Sequence, residues 1–262
     1  MNSSYDLQFI KKPYVDVILP NYNKSEYLKE AINSVVNQTY KNWILYIIDD
    51  HSNDNSKKII DEFSNLKNIK IFKLKKNKGP SFCRNLAMRI SKSKYISFID
   101  SDDAWLPKKL EKQIFFMEKN DLTFTYTDYT PFLEDRRGKI VKKKTAIKNH
   151  FEYKTFIKNS SINTTTMILA RSILGTHRFR KINLLEDYLF KCKLLKSNNI
   201  AKKLDEDLAV YRILSKSRSS QRLKNIFWLW HINRKYNKLN FLENMISILS
   251  ISINSIKKYG IK

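Results

Sequence analysis

Cysteine is nearly absent from these 262 residues: Cys83 and Cys192 are the whole complement. Two thiols exclude a disulfide scaffold and a cysteine-built zinc site, and they fit a reducing compartment. Four glycines are too few for a glycine-rich dinucleotide fingerprint. No run approaches the ~18 uninterrupted apolar residues of a membrane-crossing helix. The opening string MNSSYDLQFIKKPY has no apolar stretch ahead of a cleavage site, so no secretory leader is expected. Acidic residues are scarce: 25 Asp and Glu stand against 50 Lys and Arg, a formal charge of +25. The excess is spread along the chain and densest near its end. Such a surface is either simply solvated or meets an anionic partner, whether nucleic acid, phospholipid or a phosphorylated substrate. Apolar residues make up 42% of the chain, ample for a buried core. The length suits one generous domain, or one domain with a modest extension.

The first half alternates two hydrophobic periods. Val15–Leu19 is a short β-rich run, and Tyr27, Leu28, Ala31, Ile32, Val35 and Val36 then recur at helical spacing within Ser25–Val36. Trp43–Ile48 is nearly all apolar, as a strand covered on both faces must be. A helix is expected over Asp54–Leu66, a strand over Ile69–Leu74, a helix over Pro80–Ile90 and a strand over Tyr95–Ile99. Pro107–Glu118 follows as a helix with proline in its first turn. This alternation predicts βαβ units: an α/β, Rossmann-like fold with a mostly parallel central sheet flanked by helices. Beyond Asp121 the pattern changes. Strands are expected at Leu122–Tyr129, Thr164–Leu169 and Leu208–Ile213, with a charged loop or hairpin around Gly138 and a helix over Leu184–Lys196. Ser219–Ile256 reads as one or two helices rich in aromatic and basic residues.

Ligands of open α/β sheets bind beyond the carboxyl ends of the strands, and three polar clusters fall there. They are Pro20-Asn21-Tyr22-Asn23, Asp49-Asp50-His51-Ser52 and Asp100-Ser101-Asp102-Asp103. Any one of them is open to reading as turn and N-cap chemistry. Together they gather carboxylates that repel unless a cation or donor compensates. Asp100 and Asp102 can face one hard divalent cation, or divide the cation and a ribose hydroxyl between them, and all-oxygen ligation suits Mg²⁺ or Mn²⁺. Glu186-Asp187 starts a predicted helix, where the dipole favours acids; the functional alternative is a general base. Trp105 suits either stacking on a sugar face or packing. His51, His150, His177 and His231 show no ligand pattern.

The ordered strings VDVILPNYN, IIDDHSNDNS, NKGPSFCRN, YISFIDSDDAWLPKKLEKQ and LLEDYLF resemble inverting glycosyltransferase family 2, over roughly Tyr14–Ser220. The ending YRILSKSRSSQRLKNIFW resembles the branch that builds bacterial surface polysaccharides: O-antigen, capsule and teichuronic acid. The resemblance implies a GT-A fold and a role for each matching position. Pro20 and Tyr22 would line the base pocket, Asp50 would accept from the uracil imide, and Arg84 matches the arginine of the nucleotide-side helix motif. Asp100, with Ser101 beside it, would contact the ribose or the metal-bound water, and Asp102 would hold the metal, Mn²⁺ or Mg²⁺. Asp103 would orient the loop. Asp187 would be the catalytic base, with Glu186 supporting it or binding the acceptor, and Arg212 would meet the diphosphate. The family often has Gly where His51 stands and His where Leu214 stands, which puts in doubt any ligand role for position 214.

The implied activity is metal-dependent hexose transfer from a UDP-sugar, with UDP-glucose or UDP-galactose first and the N-acetylated sugars next. The implied acceptor is an undecaprenyl-diphosphate-linked sugar. Residues 1–218 would form the catalytic domain and 219–262 a helical extension. From Leu208 onward that end holds eleven basic residues and one acid, Glu243, among Phe227, Trp228, Leu229 and Trp230. Such a segment suits either an anionic membrane surface or packing on the sheet domain. The expected location is the cytoplasmic face of the inner membrane, with no nucleic-acid partner. The alternatives are a basic nucleic-acid-binding protein and a catalytically silent relative that only binds.

Overall fold

The computed structural model describes residues 14–134, 140–142, 148–214 and 222–259. Its centre is β1 (Val15–Asn21), every residue of which is buried. β1 pairs in parallel with β2 (Trp43–Asp49) on one side and with β4 (Tyr95–Phe98) on the other, and β3 (Ile69–Lys73) continues the parallel set beyond β2. β1, β2 and β4 are buried almost throughout, which is why they read as largely apolar runs. α1 (Ser25–Val36) buries Leu28, Ala31, Ile32 and Val35, one stripe at helical spacing. α2 (Ser56–Asp61) is short, and α3 (Pro80–Ile90) starts with proline directly after Gly79, whose φ of 87° turns the chain into the helix.

The second half is mixed rather than parallel. β5 (Ala104–Trp105), α4 (Lys109–Lys119), β6 (Phe124–Glu134), β7 (Ile140–Lys142), β8 (His150–Phe151), α5 (Tyr153–Phe156) and β9 (Ile168–Ala170) follow in order. α6 (Glu186–Lys196) then leads to the long β10 (Ala201–Ile213) and to α7 (Arg222–Lys235) and α8 (Phe241–Tyr259). β9 runs antiparallel to both β4 and β6, joining the two halves, whereas β10 is parallel to β6. The sheet order is β3-β2-β1-β4-β9-β6-β10-β5, with β7 on β6 and β8 on β10. The expectation of a mostly parallel sheet therefore holds for the first four strands, and the remainder mixes both senses.

Three elements differ from the sequence reading for local reasons. The helix expected over Asp54–Leu66 is regular only through Asp61, where Ser64 Oγ donates to the Asp61 carbonyl and competes with the helical ladder. Thr164–Thr166 is a 3₁₀ turn, because the Asn163 side chain accepts the Thr165 N–H and the strand begins only afterwards. β10 begins at Ala201, and its pairing with β6 shifts register around Asp207, where the run Asp205-Glu206-Asp207 hid the strand's alternation. The Gly138 turn and the boundary near residue 218 lie outside the described residues.

One buried carboxylate ties the foot of the sheet. Asp16 is fully buried in β1, and its oxygens accept from Ser93 N and Ser93 Oγ, both at 2.7 Å, and from Arg171 Nη2 at 2.9 Å. Arg171 also donates to the carbonyls of Ser93 and Met88. Removing the carboxylate would take the charged acceptor from the half-buried Arg171 guanidinium and from the Ser93 hydroxyl and N–H. Asp16→Ala is expected to cost about 3 kcal/mol of unfolding free energy. A urea midpoint equal to that of the unaltered chain would show that the cluster carries no such weight.

Candidate active site

The loops after β1 and β2 are cross-braced. Asp49, fully buried, accepts from Asn21 Nδ2 at 2.9 Å, Ser52 Oγ at 2.6 Å and Ser52 N at 3.1 Å. Asp50, the next residue, turns the other way: its two oxygens accept the backbone N–H groups of Lys78 and Gly79, each at 2.7 Å, at the start of α3. A helix N-terminus is a natural seat for a carboxylate. Pro20 is buried within β1, while Tyr22 is 47% exposed at the rim. His51 is an exposed loop residue at φ 65°. Burial, then the Asp50 carboxylate, pushes the Cys83 thiol up to about 12, and burial does the same for Cys192. Neither is a nucleophile at neutral pH.

The acidic turn after β4 is divided among three cations. Asp100 Oδ1 accepts from Arg84 Nη2 at 2.6 Å. Asp102 Oδ2 lies 2.8 Å from Lys24 Nζ. Asp103 points inward and accepts from Thr165 Oγ1 and from the Arg212 N–H; burial, with Asp102 and Asp100 beside it, raises its carboxyl well above the ordinary range. Ser101 is buried between them. Arg212, at the end of β10, donates from Nε to the Asp102 carbonyl at 3.1 Å and from Nη2 to Glu30 at 2.7 Å, and it lies 4.6 Å from the Tyr27 ring centroid. Trp105 is buried, its indole N–H donating to the Thr165 carbonyl and Lys109 Nζ 4.2 Å from its ring centroid. Of its two readings, packing is the one the structure shows.

Arg84 is not a surface residue. It is buried, donates from Nη1 to Glu186 Oε1 at 3.4 Å as well as to Asp100, and lies against Phe179. Burial works against its charge, but Asp100 and Glu186 overcome this and hold the guanidinium above its ordinary pKa. Thus α3 binds the end of β4 to the start of α6, with Arg84 and Glu186 lying 102 positions apart in the chain. Asp187, next on α6, is 35% exposed and accepts from Lys191 Nζ at 2.8 Å and Thr164 Oγ1 at 3.1 Å. Burial alone would raise its carboxyl; Lys191, Arg84 and Thr164 outweigh it and bring the value down to about 2. Lys191 is buried one helical turn along and also donates to the Ile162 carbonyl at 2.7 Å and to Thr164 Oγ1 at 3.2 Å.

Among the described residues, no three His, Cys, Asp or Glu side chains gather as a metal cage. Asp102 and Asp100 nevertheless fit a hard cation of the Mg²⁺ type, which takes one or two carboxylates and completes its shell with phosphate and water. The Lys24 ammonium against Asp102 already shows that this carboxylate accepts a positive charge.

The model of the family described as Glycosyl transferase family 2 matches residues 16–181. The chain belongs to glycosyl transferase family 2. It is therefore a glycosyltransferase. Among its relatives, the putative teichuronic acid biosynthesis glycosyltransferase TuaG of Bacillus subtilis (strain 168) is 30% identical over 248 residues, covering 94% of this chain and 98% of that one. The UDP-Glc:alpha-D-GlcNAc-diphosphoundecaprenol beta-1,3-glucosyltransferase WfgD of Escherichia coli is 32% identical, covering 94% and 95%. Among solved structures, S. aureus TarS 1-349 in complex with UDP-GlcNAc superposes with a TM-score of 0.69 at 18% identity, covering 93% of this chain and 73% of that one. The likeness establishes the GT-A fold.

The family 2 motifs thus fall at one end of the sheet, and Arg84 joins two of them directly. Lys24, Thr164, Thr165 and Lys191 escaped the sequence reading. Lys191 lies four residues after Asp187 on one helix face, a spacing that could have signalled it; the threonines come from a turn mistaken for strand. Asp187 is held below its ordinary 3.8, so its ionised form stabilises the fold above about pH 4, and that contribution is lost as pH falls toward about 2. Lys191→Met should lift the Asp187 carboxyl, moving the acid limb of the kcat/KM profile to higher pH while donor KM holds. An unmoved limb would show that Lys191 does not set the state of Asp187.

Proposed function

We propose that this glycosyltransferase moves a hexose from a UDP-sugar, UDP-glucose first and UDP-galactose next, to a hydroxyl of an undecaprenyl-diphosphate-linked sugar. The reaction would invert the anomeric centre and serve bacterial surface polysaccharide synthesis. The observation that carries this reading is the Arg84 bridge, which sets the ionised Asp187 beside the Asp100–Asp102 turn. The WfgD name, with its UDP-glucose donor and diphosphoundecaprenol acceptor, supports the choice of substrates. The UDP-GlcNAc named with TarS keeps N-acetylated donors next in line.

In this reading the uracil ring lies against Tyr22 and Pro20. Asp50, oriented by two backbone N–H groups, keeps lone pairs free for the uracil imide. Asp102, with Asp100, would hold Mn²⁺ or Mg²⁺, which when bound would neutralise charge on the departing diphosphate. Arg84 is already committed to two carboxylates, so it serves as a strut, and Arg212 and Lys24 are the cations on the diphosphate side. Asp187 accepts the proton of the attacking hydroxyl. A carboxylate held near 2 is a weak base, so the proton passes late, once bonding to the anomeric carbon has made the hydroxyl acidic. Attack from the face opposite the leaving group turns an α-donor into a β-glycoside.

Residues 1–218 form the catalytic unit in this account, and 219–262 its extension. No helix among the described residues is long and apolar enough to cross a membrane. A lipid-linked acceptor then requires the enzyme to work at the cytoplasmic membrane surface.

Asp187→Asn should bind UDP-glucose with unchanged affinity and lose at least about 100-fold in kcat. Transfer at the normal rate would remove Asp187 from the role of base. Asp102→Ala should abolish UDP-dependent Mn²⁺ binding measured by electron paramagnetic resonance, along with turnover. Retained Mn²⁺ binding would place the cation elsewhere.

A further inference from the structure

α8 buries polar residues as well as apolar ones. Its inward face carries Asn244 and Ser247, both fully buried, beside Ile248 and Ile251, which pack against the core. Ser247 Oγ donates to the Ile157 carbonyl and accepts from Asn233 Nδ2 at 2.9 Å, and Asn244 Nδ2 donates to the Trp230 carbonyl at 3.2 Å. Farther along, Asn254 Nδ2 donates to the Lys158 carbonyl at 3.1 Å. Burial of such polar atoms depends on pairing, which all of these have except Asn244 Oδ1. The outward face carries Leu242, Leu249 and Ile253, which are 68%, 56% and 52% exposed, with Met245, Ile246 and Ile256 between and beyond them. These positions follow helical spacing, so they form one stripe along about four turns. Phe227, on α7, is 63% exposed, and Phe241 packs edge-on to Trp230, carrying apolar surface from one helix to the other. A water-facing helix has the opposite pattern, and a continuous apolar face of this kind marks an interaction surface.

The charges around the stripe choose its occupant. Lys224, Arg234, Lys235, Lys238 and Lys257 are exposed on or between the two helices. Their acid, Glu243, is occupied in capping α8: its carboxylate accepts the Asn240 N–H while Asn240 Oδ1 accepts the Glu243 N–H, both at 2.8 Å. A second copy docking through the same face would set these cations against their equals. An anionic lipid surface complements both the apolar stripe and the cations.

We infer that the outer face of α7 and α8 is a docking surface for an anionic bilayer, lying in the headgroup region with its leucines and isoleucines in the acyl boundary. In taking a bilayer as occupant, the inference rests on the lipid-linked acceptor proposed above. It adds the surface and the lipid charge. The same helices are fastened to the base-bearing helix: Tyr188, next to Asp187, donates to Asn233 Oδ1 at 2.9 Å, and Lys196 Nζ donates to the Asn237 carbonyl at 2.8 Å. Docking would therefore fix the orientation of α6 relative to the membrane.

Flotation of the full chain with vesicles tests this. The protein should float with equimolar phosphatidylglycerol and phosphatidylcholine, and at least about tenfold less with phosphatidylcholine alone. The variant Leu242→Ser, Leu249→Ser, Ile253→Ser changes only exposed side chains; it should keep its melting temperature and lose flotation at least about tenfold. UDP release from UDP-glucose with a soluble acceptor analogue should be unchanged in that variant, which separates this inference from the assignment of the reaction. Flotation unchanged by the three substitutions would overturn it, as would a wild-type chain that stays unbound and dimeric by light scattering while the variant becomes monomeric.

Discussion

The buried guanidinium of Arg84 is the constraint on which the rest of the site depends. Three carboxylates, Asp100 after β4 and the adjacent Glu186 and Asp187 on α6, come from two distant parts of the chain and would repel one another without a shared counter-charge. Arg84 contacts the first two directly and lowers the third at a distance. Without the guanidinium the acids lose their shared counter-charge, and without the acids the cation is left buried and unpaired. That mutual requirement binds the parallel half of the sheet, with the loops after β1, β2 and β4, to the start of α6, where Asp187 is the proposed base. Lys191 then completes the arrangement from within α6, holding the Asp187 carboxylate from behind while about a third of that side chain faces solvent.

Much of this was legible in the residues. β1, β2 and β4 are covered on both faces, so their sequences are largely apolar and the polar residues that follow them stand out. The acidic turn at Asp100–Asp103 and the Glu186-Asp187 pair were visible for the same reason. What stayed hidden is what tertiary contact alone creates. Arg84 is picked out by its motif, but its burial is not visible in a chain with a charge of +25, and only tertiary packing creates it. Asp16 is a lone acid in an apolar strand, and its partners lie 77 and 155 positions away. Thr164–Thr166 has strand-forming residues but is turned by the Asn163 side chain, and that turn supplies the hydroxyls to Asp187 and Asp103.

The C-terminal helices show that both readings of a basic, aromatic segment can hold at once. Leu229, Ile232 and Leu239 join the core cluster, so the segment does pack on the catalytic fold. On α8, Ile248 and Ile251 pack inward beside the hydrogen-bonded Asn244 and Ser247, and Leu242, Met245, Ile246, Leu249, Ile253 and Ile256 are left outside. Composition could not distinguish the two faces; hydrogen bonding to the carbonyls of Ile157 and Lys158 does.

The central claim is a single displacement at the anomeric carbon, with Asp187 and the diphosphate on opposite sides of the sugar. The configuration of the product tests it most directly, by proton nuclear magnetic resonance of the disaccharide formed from an α-linked UDP-hexose on a lipid-diphosphate sugar. The account predicts a β-glycoside from the first turnover onward. An α-glycoside would contradict it, because retention requires a different disposition of groups from the one that Arg84 holds together.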